Sequence, residues 1–337
     1  MRSLCALILI SLLGLNSLFG QSKYASEVMN LGFGGQSLGM GGAYVAVAHD
    51  VTAAYWNPAG LTEIEYPQLM LMHSSRFSGV VNNDYGAAAF PVGSNSSIGF
   101  SLFRVGVDNI KVTALTDPNA ELGPGNRLYV LDTFNGAHYG FFLTYAKKAR
   151  SGLQVGGNIK YFNFSFGDNS AWGLGFDFGI KKRLANRLVL GMNLQDVTTT
   201  LLAYDTGKKE NIRPSLRAGL TYPLQYDRLG GSFHPAIDFV FYFENRETAA
   251  LFHAGAASVD MNIGWEYVHR SSLALRVGFA DVGQPEAQLE LGKFSAGLGF
   301  QISQLMIDYA FLGHLELGNT HRISARLTLE EPRLRRE

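Results

Sequence analysis

The sequence predicts an all-β protein, a single-chain transmembrane antiparallel β-barrel of about 14 strands that follows an N-terminal segment of different pattern. Three observations predict this fold. Large apolar residues alternate with small or polar residues over most of residues 67–330. No stretch after residue 20 approaches the roughly 18 consecutive apolar residues of a helical membrane span. Short and long connections alternate between the predicted strands, as in bacterial outer-membrane barrels.

The alternation is clearest at residues 172–180. Every second residue there is large and apolar, from Trp172 to Ile180, and the intervening positions are glycine except for Asp177. An apolar face toward lipid and a small or polar face toward the lumen produce this pattern in a membrane barrel. A soluble β-sandwich with an apolar core is the alternative. Predicted strands of about 10 residues, with aromatic residues near their ends, favour the membrane barrel.

Fourteen segments follow the strand pattern, and an even number is what a single-chain bacterial barrel needs. They span residues 67–76, 83–92, 96–106, 136–147, 151–164, 171–182, 186–196, 212–223, 234–243, 258–268, 271–280, 292–301, 304–312 and 319–329. The longest predicted connection is residues 107–135. Because short connections correspond to periplasmic turns and long ones to extracellular loops, the pattern places both mature termini in the periplasm.

Composition agrees with a protein that presents apolar surface to the lipid of an outer membrane. Charged residues make up only 17% of the 337 residues, and the chain contains 39 glycines, 23 phenylalanines and 15 tyrosines. The formal net charge is zero, and no basic tract stands out in the body of the chain. We therefore expect no nucleic-acid partner.

The chain divides into four predicted parts. Residues 1–20 are predicted to be a secretory signal, with Arg2 before a short apolar run; an N-terminal membrane anchor is the alternative. Residues 21–66 form the hatch segment, residues 67–330 the barrel and residues 331–337 a short polar tail. The only cysteine, Cys5, lies within the predicted signal, so no disulfide is expected in the mature chain.

The predicted hatch segment contains a distinctive motif. Residues 37–61 read SLGMGGAYVAVAHDVTAAYWNPAGL. This string resembles the N-terminal signature of the PorV/PorQ family of outer-membrane barrels and, more distantly, that of the FadL-type transporters. The resemblance implies a 14-stranded barrel in the outer membrane of a Gram-negative-type envelope, with the N-terminal segment folded into the lumen as a hatch. One departure is that the last predicted strand is not followed by a final phenylalanine.

The two branches of the resemblance imply different functions. The PorV/PorQ branch implies a role in type IX secretion, in protein export or attachment with secretion-system proteins as partners, or an allied outer-membrane role. The FadL branch implies passive transport of long-chain fatty acids or other hydrophobic small molecules. The sequence favours the first function because residues 37–61 look closer to PorV/PorQ, and it keeps the second as the alternative.

Candidate hatch or gate residues come from the motif. They are Gly39, Gly41, Gly42, Asp50, Trp56, Asn57, Pro58 and Gly60. The glycines could also suggest a phosphate-binding loop, but no Lys-Ser/Thr follows them and no strand–loop–helix pattern surrounds them. A tight turn is therefore the preferred interpretation. For Asn57 and Pro58, structural punctuation is preferred over a role as a gate.

Candidate lumen-facing residues are the charged residues on the predicted inner face. They are Asp177, Arg217, Asp238, Glu266, Arg276, Asp308, Arg322 and Arg326. Charged groups are tolerated inside a barrel when water or opposite charges accompany them. A structural network that holds the hatch is the preferred interpretation, and direct contact with a ligand is the alternative.

The sequence predicts no cofactor, no metal site and no enzymatic activity. The eight histidines are scattered, and no His or Cys spacing suggests a metal. A barrel lipase or deacylase is the alternative by residue inventory, but no motif places a nucleophile beside a base.

Overall fold

The computed structural model describes residues 31–330 except 185–186, 199, 206, 208, 245, 247–249, 256, 284–292 and 314–317. The predicted signal, the first ten residues of the predicted hatch segment and the polar tail lie outside the described residues. In the described part of the chain, none of the helices has the length and apolar character needed to cross a membrane.

Short helices occupy the N-terminal segment, which we define as residues 31–66. They are α1 (Gly35–Gly39), α2 (Ala53–Trp56) and the 3-10 helix η1 (Pro58–Glu63). Asn57 caps η1 because its side-chain oxygen accepts a hydrogen bond from the Ala59 amide, at 3.2 Å. Pro58 is suited to the first helical position, since it has no amide hydrogen to satisfy.

The rest of the described chain is almost entirely β-structure. The strands are β1 (Gln68–Arg76), β2 (Val81–Val92), β3 (Ser96–Leu115), β4 (Leu128–Lys148), β5 (Leu153–Phe166), β6 (Asn169–Arg183), β7 (Val189–Gln195), β8 (Thr200–Tyr204), β9 (Lys209–Ile212), β10 (Ser215–Thr221), β11 (Leu224–Tyr226), β12 (Gly231–Tyr242), β13 (Phe252–Ala254), β14 (Ala257–His269), β15 (Leu273–Ala280), β16 (Lys293–Ile302), β17 (Leu305–Leu312) and β18 (Thr320–Thr328). Two further 3-10 turns, Phe77–Gly79 and Asp227–Leu229, lie between strands.

The strands form a closed antiparallel barrel. Strand β1 pairs with both β2 and β18, so the sheet has no free lateral edge. The wall contains fourteen strands when two pairs of short strands are each counted as one. Strands β7 and β8 both pair with β6 and together fill one position. Strand β9 pairs with β8 and strand β10 pairs with β7, so β9 and β10 together fill the next position. Strands β11 and β13 are short additions against β12 and β14. The predicted 14-stranded barrel is confirmed.

The two faces of the wall differ as the sequence alternation predicts. Along β6, Trp172, Phe176 and Phe178 are exposed on the outside, whereas Asp177 is buried inside. Every backbone donor and acceptor of a closed wall can pair between strands, which is the condition for crossing a bilayer with strands. We call the end of the barrel with the short connections, such as 93–95 and 303–304, the turn end. The opposite end is the loop end.

Two predicted connections are wrong. Residues 107–135 do not form one long loop, because β3 continues to Leu115 and β4 begins at Leu128. The two strands pair as an arm beyond the wall, with a bulge between Val107 and Ile110. Residues 197–211 likewise contain β8 and β9. In both regions β-branched and aromatic residues extend the pairing past the point where strict alternation ends.

Candidate functional site

The N-terminal segment contacts the inner face of the wall on two arcs. Helix α1 packs against β15, β16, β17 and β18, and η1 packs against β3, β4, β5 and β6. Most of its side chains are buried, including Met40, Tyr44 and Leu61 with exposures of 0%. The interior of the barrel is therefore filled by the chain itself at this level.

Glycines on the inner wall make this close packing possible. They are Gly156, Gly179, Gly191, Gly264, Gly278 and Gly297. A Cβ added at Gly156 would lie 2.5 Å from the carbonyl carbon of Pro58, so any larger residue would displace η1. On the segment itself, Gly41 has φ +63° and its added Cβ would lie 2.6 Å from the Phe279 amide. Position 41 therefore requires glycine for two reasons: its backbone is left-handed, and it lies too close to the backbone of the wall for a side chain.

The remaining motif residues hold the N-terminal segment in its folded shape. The Trp56 indole Nε1 donates to the Phe33 carbonyl at 2.8 Å. The Asn57 amide donates to the carbonyls of Val45 and Ile180, both at 3.0 Å, and so links the segment to β6. Asn57 is completely buried, and losing these partners would leave an unsatisfied amide.

The other motif glycines also lie at backbone contacts. A Cβ added at Gly39 would lie 3.0 Å from the Gly297 Cα, whereas Gly42 has φ +78° and faces the Asn262 amide. Gly60 packs against the Ala48 carbonyl. These contacts leave no room for a bound phosphate at the motif.

Ion pairs join the N-terminal segment to the turn-end half of the wall. Asp50 pairs with Arg326 and accepts hydrogen bonds from Thr52, and Glu63 pairs with Lys181 at 3.1 Å. Burial would raise the pKa of the Asp50 carboxyl, but the neighbouring Arg326 charge and the Thr52 hydrogen bonds bring that pKa below its ordinary value. At Glu63, burial would likewise raise the pKa of the carboxyl, but the Lys181 charge opposes it and that pKa is also lowered.

Three of the predicted lumen-facing residues form one cluster. Arg276 donates through Nε to Glu266 at 2.7 Å and through Nη1 to Asp308 at 2.6 Å. Gln36 of α1 donates to the same Glu266 carboxylate at 2.9 Å. Because all three charged residues are buried, their desolvation is offset by these ion pairs and hydrogen bonds.

Asp238 and Arg322 bind the backbone of the N-terminal segment. Asp238 Oδ2 accepts from the amides of Tyr44 and Val45 at 2.7 and 2.8 Å. Arg322 donates to the carbonyls of Gly34 and Leu31 at 3.2 and 3.1 Å.

Asp177 and Arg217 contact the segment less directly. Asp177 pairs with Lys160 at 2.6 Å and accepts from Asn158, which itself donates to the Ala54 carbonyl. The Arg217 guanidinium lies 5.3 Å from the centre of the Trp56 ring. All eight predicted lumen residues thus face the interior, and most of them contact the N-terminal segment.

An aromatic layer lies on the inner wall toward the loop end, and the sequence interpretation missed it. It consists of Phe33 and Tyr55 from the N-terminal segment with Tyr85, Phe103, Phe142, Phe162 and Phe164 from β2 to β5. The Phe33 ring stacks on Tyr85 with centroids 4.5 Å apart and lies 5.0 Å from Phe103. Phe142 and Phe162 continue the contacts at 6.1 Å. The layer forms one connected apolar surface inside the barrel.

A signal for this layer was present in the sequence. Phe141 is followed by Phe142, and Tyr161 is followed by Phe162, so both faces of β4 and β5 carry aromatic rings. Strict alternation would place a small or polar residue at the second position of each pair. Aromatic residues on both faces indicate a wall that meets lipid outside and an apolar interior.

The turn-end half of the lumen is different in character. A cavity of about 430 Å³ lies there between the N-terminal segment and the wall. Its lining combines charged and polar side chains, among them His49, Lys181 and Glu266, with apolar ones such as Val47 and Leu273. In the described ranges of the chain, no group of three or more His, Cys, Asp or Glu side chains is arranged to hold a metal ion.

Known proteins resemble this chain in structure but not closely in sequence. No protein-family model matches the chain, and a search of curated proteins finds no significant match. The P. putida toluene transporter TodX superposes with a TM-score of 0.60 at 14% identity, covering 89% of this chain and 99% of its own.

Two further solved structures show the same fold. The Ralstonia pickettii toluene transporter TbuX gives a TM-score of 0.52 at 13% identity and covers 88% of this chain and 97% of its own. A Pseudomonas aeruginosa FadL homologue gives 0.51 at 12% identity, over 88% and 98% of the two chains. The chain therefore has a FadL-like barrel fold. These neighbours match the FadL side of the sequence resemblance and give no support to the narrower PorV/PorQ assignment.

Proposed function

We propose that this protein is an outer-membrane channel through which hydrophobic small molecules pass without an energy source. The observation that carries the proposal is the aromatic layer on the inner wall, where Phe103 and Phe162 are buried in the lumen rather than turned to lipid. Inward aromatic rings give an apolar solute a place to leave water inside the barrel. TodX and TbuX are toluene transporters, which supports the same chemical class.

The N-terminal segment acts as a hatch in this proposal. Its Phe33 ring completes the aromatic layer, and its turn-end side borders the cavity of about 430 Å³. A molecule that inserts among the rings competes with Phe33 for the same contacts. Displacing Phe33 strains the connected motif residues, and the solute then leaves along the wall or toward the turn end. The turn end, with both mature termini, faces the periplasm.

A reversible crosslink tests the hatch. An added Cβ at Gly35 would lie 3.1 Å from Ser324 Oγ, so a Gly35→Cys/Ser324→Cys pair is placed to form a disulfide between the segment and β18. Cys5 in the predicted signal is the only native cysteine, so no other thiol competes in the mature chain. Uptake of radiolabelled toluene is measured in a deletion strain that expresses this double variant, oxidised or reduced.

We expect the oxidised form to lose most of the uptake and the reduced form to recover it. The reduced form is the matched reference, because the Gly35 substitution also crowds the Asp308 side chain, whose Cβ lies 2.9 Å from the added atom. Wild-type protein given the same oxidant must keep its uptake. Equal uptake by the oxidised and reduced forms would contradict the hatch, and no difference between wild type and the deletion strain would contradict transport itself.

The type IX secretion role receives less support than this alternative. The named structural neighbours are transporters of small molecules or a FadL homologue, and none is a secretion component. The same neighbours are transport proteins rather than enzymes by their names. Transport of hydrophobic small molecules is therefore the function that fold and lumen support best.

A further inference from the structure

Unsatisfied polar atoms collect in one place in the lumen. Among the described residues, nine buried side-chain nitrogen and oxygen atoms have no hydrogen-bond partner. Six of them belong to Ser74, Arg76, Asn83, His138 and Arg322. Buried polar groups are normally paired, and each unpaired one costs free energy. Such a concentration in one patch calls for a ligand.

The strand register places these residues side by side. Ser74 on β1 lies opposite Arg322 on β18 and opposite Asn83 on β2, and all three are buried with exposures of 1% or less. The same row continues through Val105 to His138 on β4. Arg76 is two residues beyond Ser74 on the same face, hence about 7–8 Å diagonally from Arg322. We call these five polar residues the loop-end polar row.

The row is cationic and has no described acidic partner. No described carboxylate forms an ion pair with Arg76 or Arg322, whereas Arg276 and Arg326 elsewhere in the lumen each have one. Arg322 uses its two terminal nitrogens on backbone carbonyls and leaves Nε unpaired. Arg76 donates no hydrogen bond to any described residue, and its Nε is also unpaired. Two guanidinium groups beside unpaired Ser and Asn groups match an oxyanion, which accepts several hydrogen bonds at once.

The row borders the aromatic layer. Asn83 is two residues from Tyr85 on the same face of β2, and His138 lies opposite Phe164, with ring centroids 4.6 Å apart. An oxyanion held by the arginines would therefore sit at the loop-end margin of the aromatic rings. A molecule with an aromatic or aliphatic body and a carboxylate head could use both surfaces.

We propose that the loop-end polar row is an oxyanion-binding site formed by Arg76, Arg322, Ser74 and Asn83. The inference rests on the proposed transport function in one respect only: the anion is taken to be the head group of a hydrophobic molecule that the barrel transports. A free inorganic oxyanion would use the same groups. The site selects for charge, whereas the aromatic layer alone would accept neutral hydrocarbons.

Calorimetric titration of the purified full chain in lipid nanodiscs tests the site with three probes. They are 4-phenylbutyrate, its uncharged amide and sulfate. We expect the acid to bind at least about tenfold more tightly than the amide, which is the ratio expected from one charge-assisted hydrogen bond. Weak or absent sulfate binding then assigns the site to the head group of a cargo. Sulfate binding as tight as that of the acid assigns it to free oxyanions.

Two variants locate the binding in the row. Arg76→Met and Asn83→Leu should each lower the affinity for the acid to within about threefold of the amide. Neither residue makes a side-chain hydrogen bond to a described residue, so the folded barrel should tolerate both changes. Arg104→Met, which removes a cation paired with the neighbouring Asp108, is the matched control and should leave the affinity unchanged.

The proposal is overturned if acid and amide bind equally and sulfate does not bind, or if neither row variant changes anion affinity while both remain folded barrels. Toluene uptake is unaffected by these outcomes, since it depends on the aromatic layer. Failure of the anion site and failure of transport are thus seen in different measurements.

Discussion

The two halves of the lumen differ in what fills them. Toward the loop end, the wall and the N-terminal segment bury aromatic rings against one another, as Phe33 does against Tyr85. Toward the turn end, the same segment is held by ion pairs such as Asp50 with Arg326, next to a cavity of about 430 Å³ that charged side chains border. Ring packing is nondirectional and can be exchanged for contacts with an apolar solute. Buried ion pairs depend on geometry, and when one partner is lost the other remains as an unpaired buried charge, which destabilises the fold. We infer that the turn-end half anchors the segment and that, in the proposed transport, a solute replaces the ring contacts of the loop-end half.

The largest effect should come from breaking the anchoring half. Arg276→Met removes the shared partner of Glu266 and Asp308 and leaves two buried carboxylates unpaired. We expect the free energy of unfolding to fall by about 4 kcal/mol. Urea unfolding in detergent, followed by tryptophan fluorescence, measures the change. A loss below about 1 kcal/mol would mean that the cluster does not anchor the segment.

A smaller effect is expected in the aromatic half. Phe162→Ala removes a fully buried ring and should lower the free energy of unfolding by about 3 kcal/mol. Unlike the loss at Arg276, this loss should be partly recovered by saturating toluene, because an apolar solute can fill the space. Arg276→Met treated with the same toluene is the control and should show no recovery. Equal recovery in both variants would remove the distinction between the two halves.

Acid should loosen the anchoring half selectively. Asp50 and Glu63 both have a lowered pKa in the folded chain, so their ion pairs contribute fully above the unfolded-state values of about 4. This contribution is lost as the pH falls through the lower folded values, below about pH 4. Trp56 fluorescence in a Trp172→Phe/Trp265→Phe background reports the environment of the segment during urea titration at pH 3 to 7. In an Asp50→Asn variant, the free energy of unfolding should depend less steeply on pH. A pH dependence identical to that of the wild type would exclude Asp50 as a source of the acid effect.

The smallest effect should come from an ion pair outside the lumen. Arg270 and Asp227 lie 2.9 Å apart at the turn end, but both side chains are more than two-thirds exposed. Arg270→Ala should change the free energy of unfolding by less than about 1 kcal/mol, because water screens the pair. The same urea titration used for Arg276→Met gives the comparison. A change as large as that of Arg276→Met would show that burial does not govern the strength of these pairs.

Much of the barrel was predictable because lipid imposes a repeating demand. All fourteen predicted segments overlap wall strands, since each must turn an apolar side chain outward at every second residue. The arm of β3 and β4 was missed as strand because beyond the bilayer neither face has to be apolar. The inward orientation of the eight charged lumen residues was also accessible from alternation, as for Arg276 on β15.

The partners of those charges were not predictable. Alternation tells which face Arg322 occupies, but not that it donates to the Gly34 and Leu31 carbonyls, which are 288 and 291 residues away in the sequence. The adjacent aromatic pairs, such as Tyr161 and Phe162, indicated an inward ring on each strand, but not that these rings lie side by side, because that depends on the register between the strands.

The sequence by itself determined the barrel, its number of strands and the presence of a compact segment rich in small residues before it. These features depend on local periodicity and on the need to pair every backbone group in a bilayer. Tertiary structure alone decided that the aromatic rings meet Phe33, that the wall glycines receive the N-terminal segment and that Arg76 and Arg322 lie together without a described acidic partner. Those facts depend on the register between strands distant in sequence, and a two-residue repeat carries no information about that register.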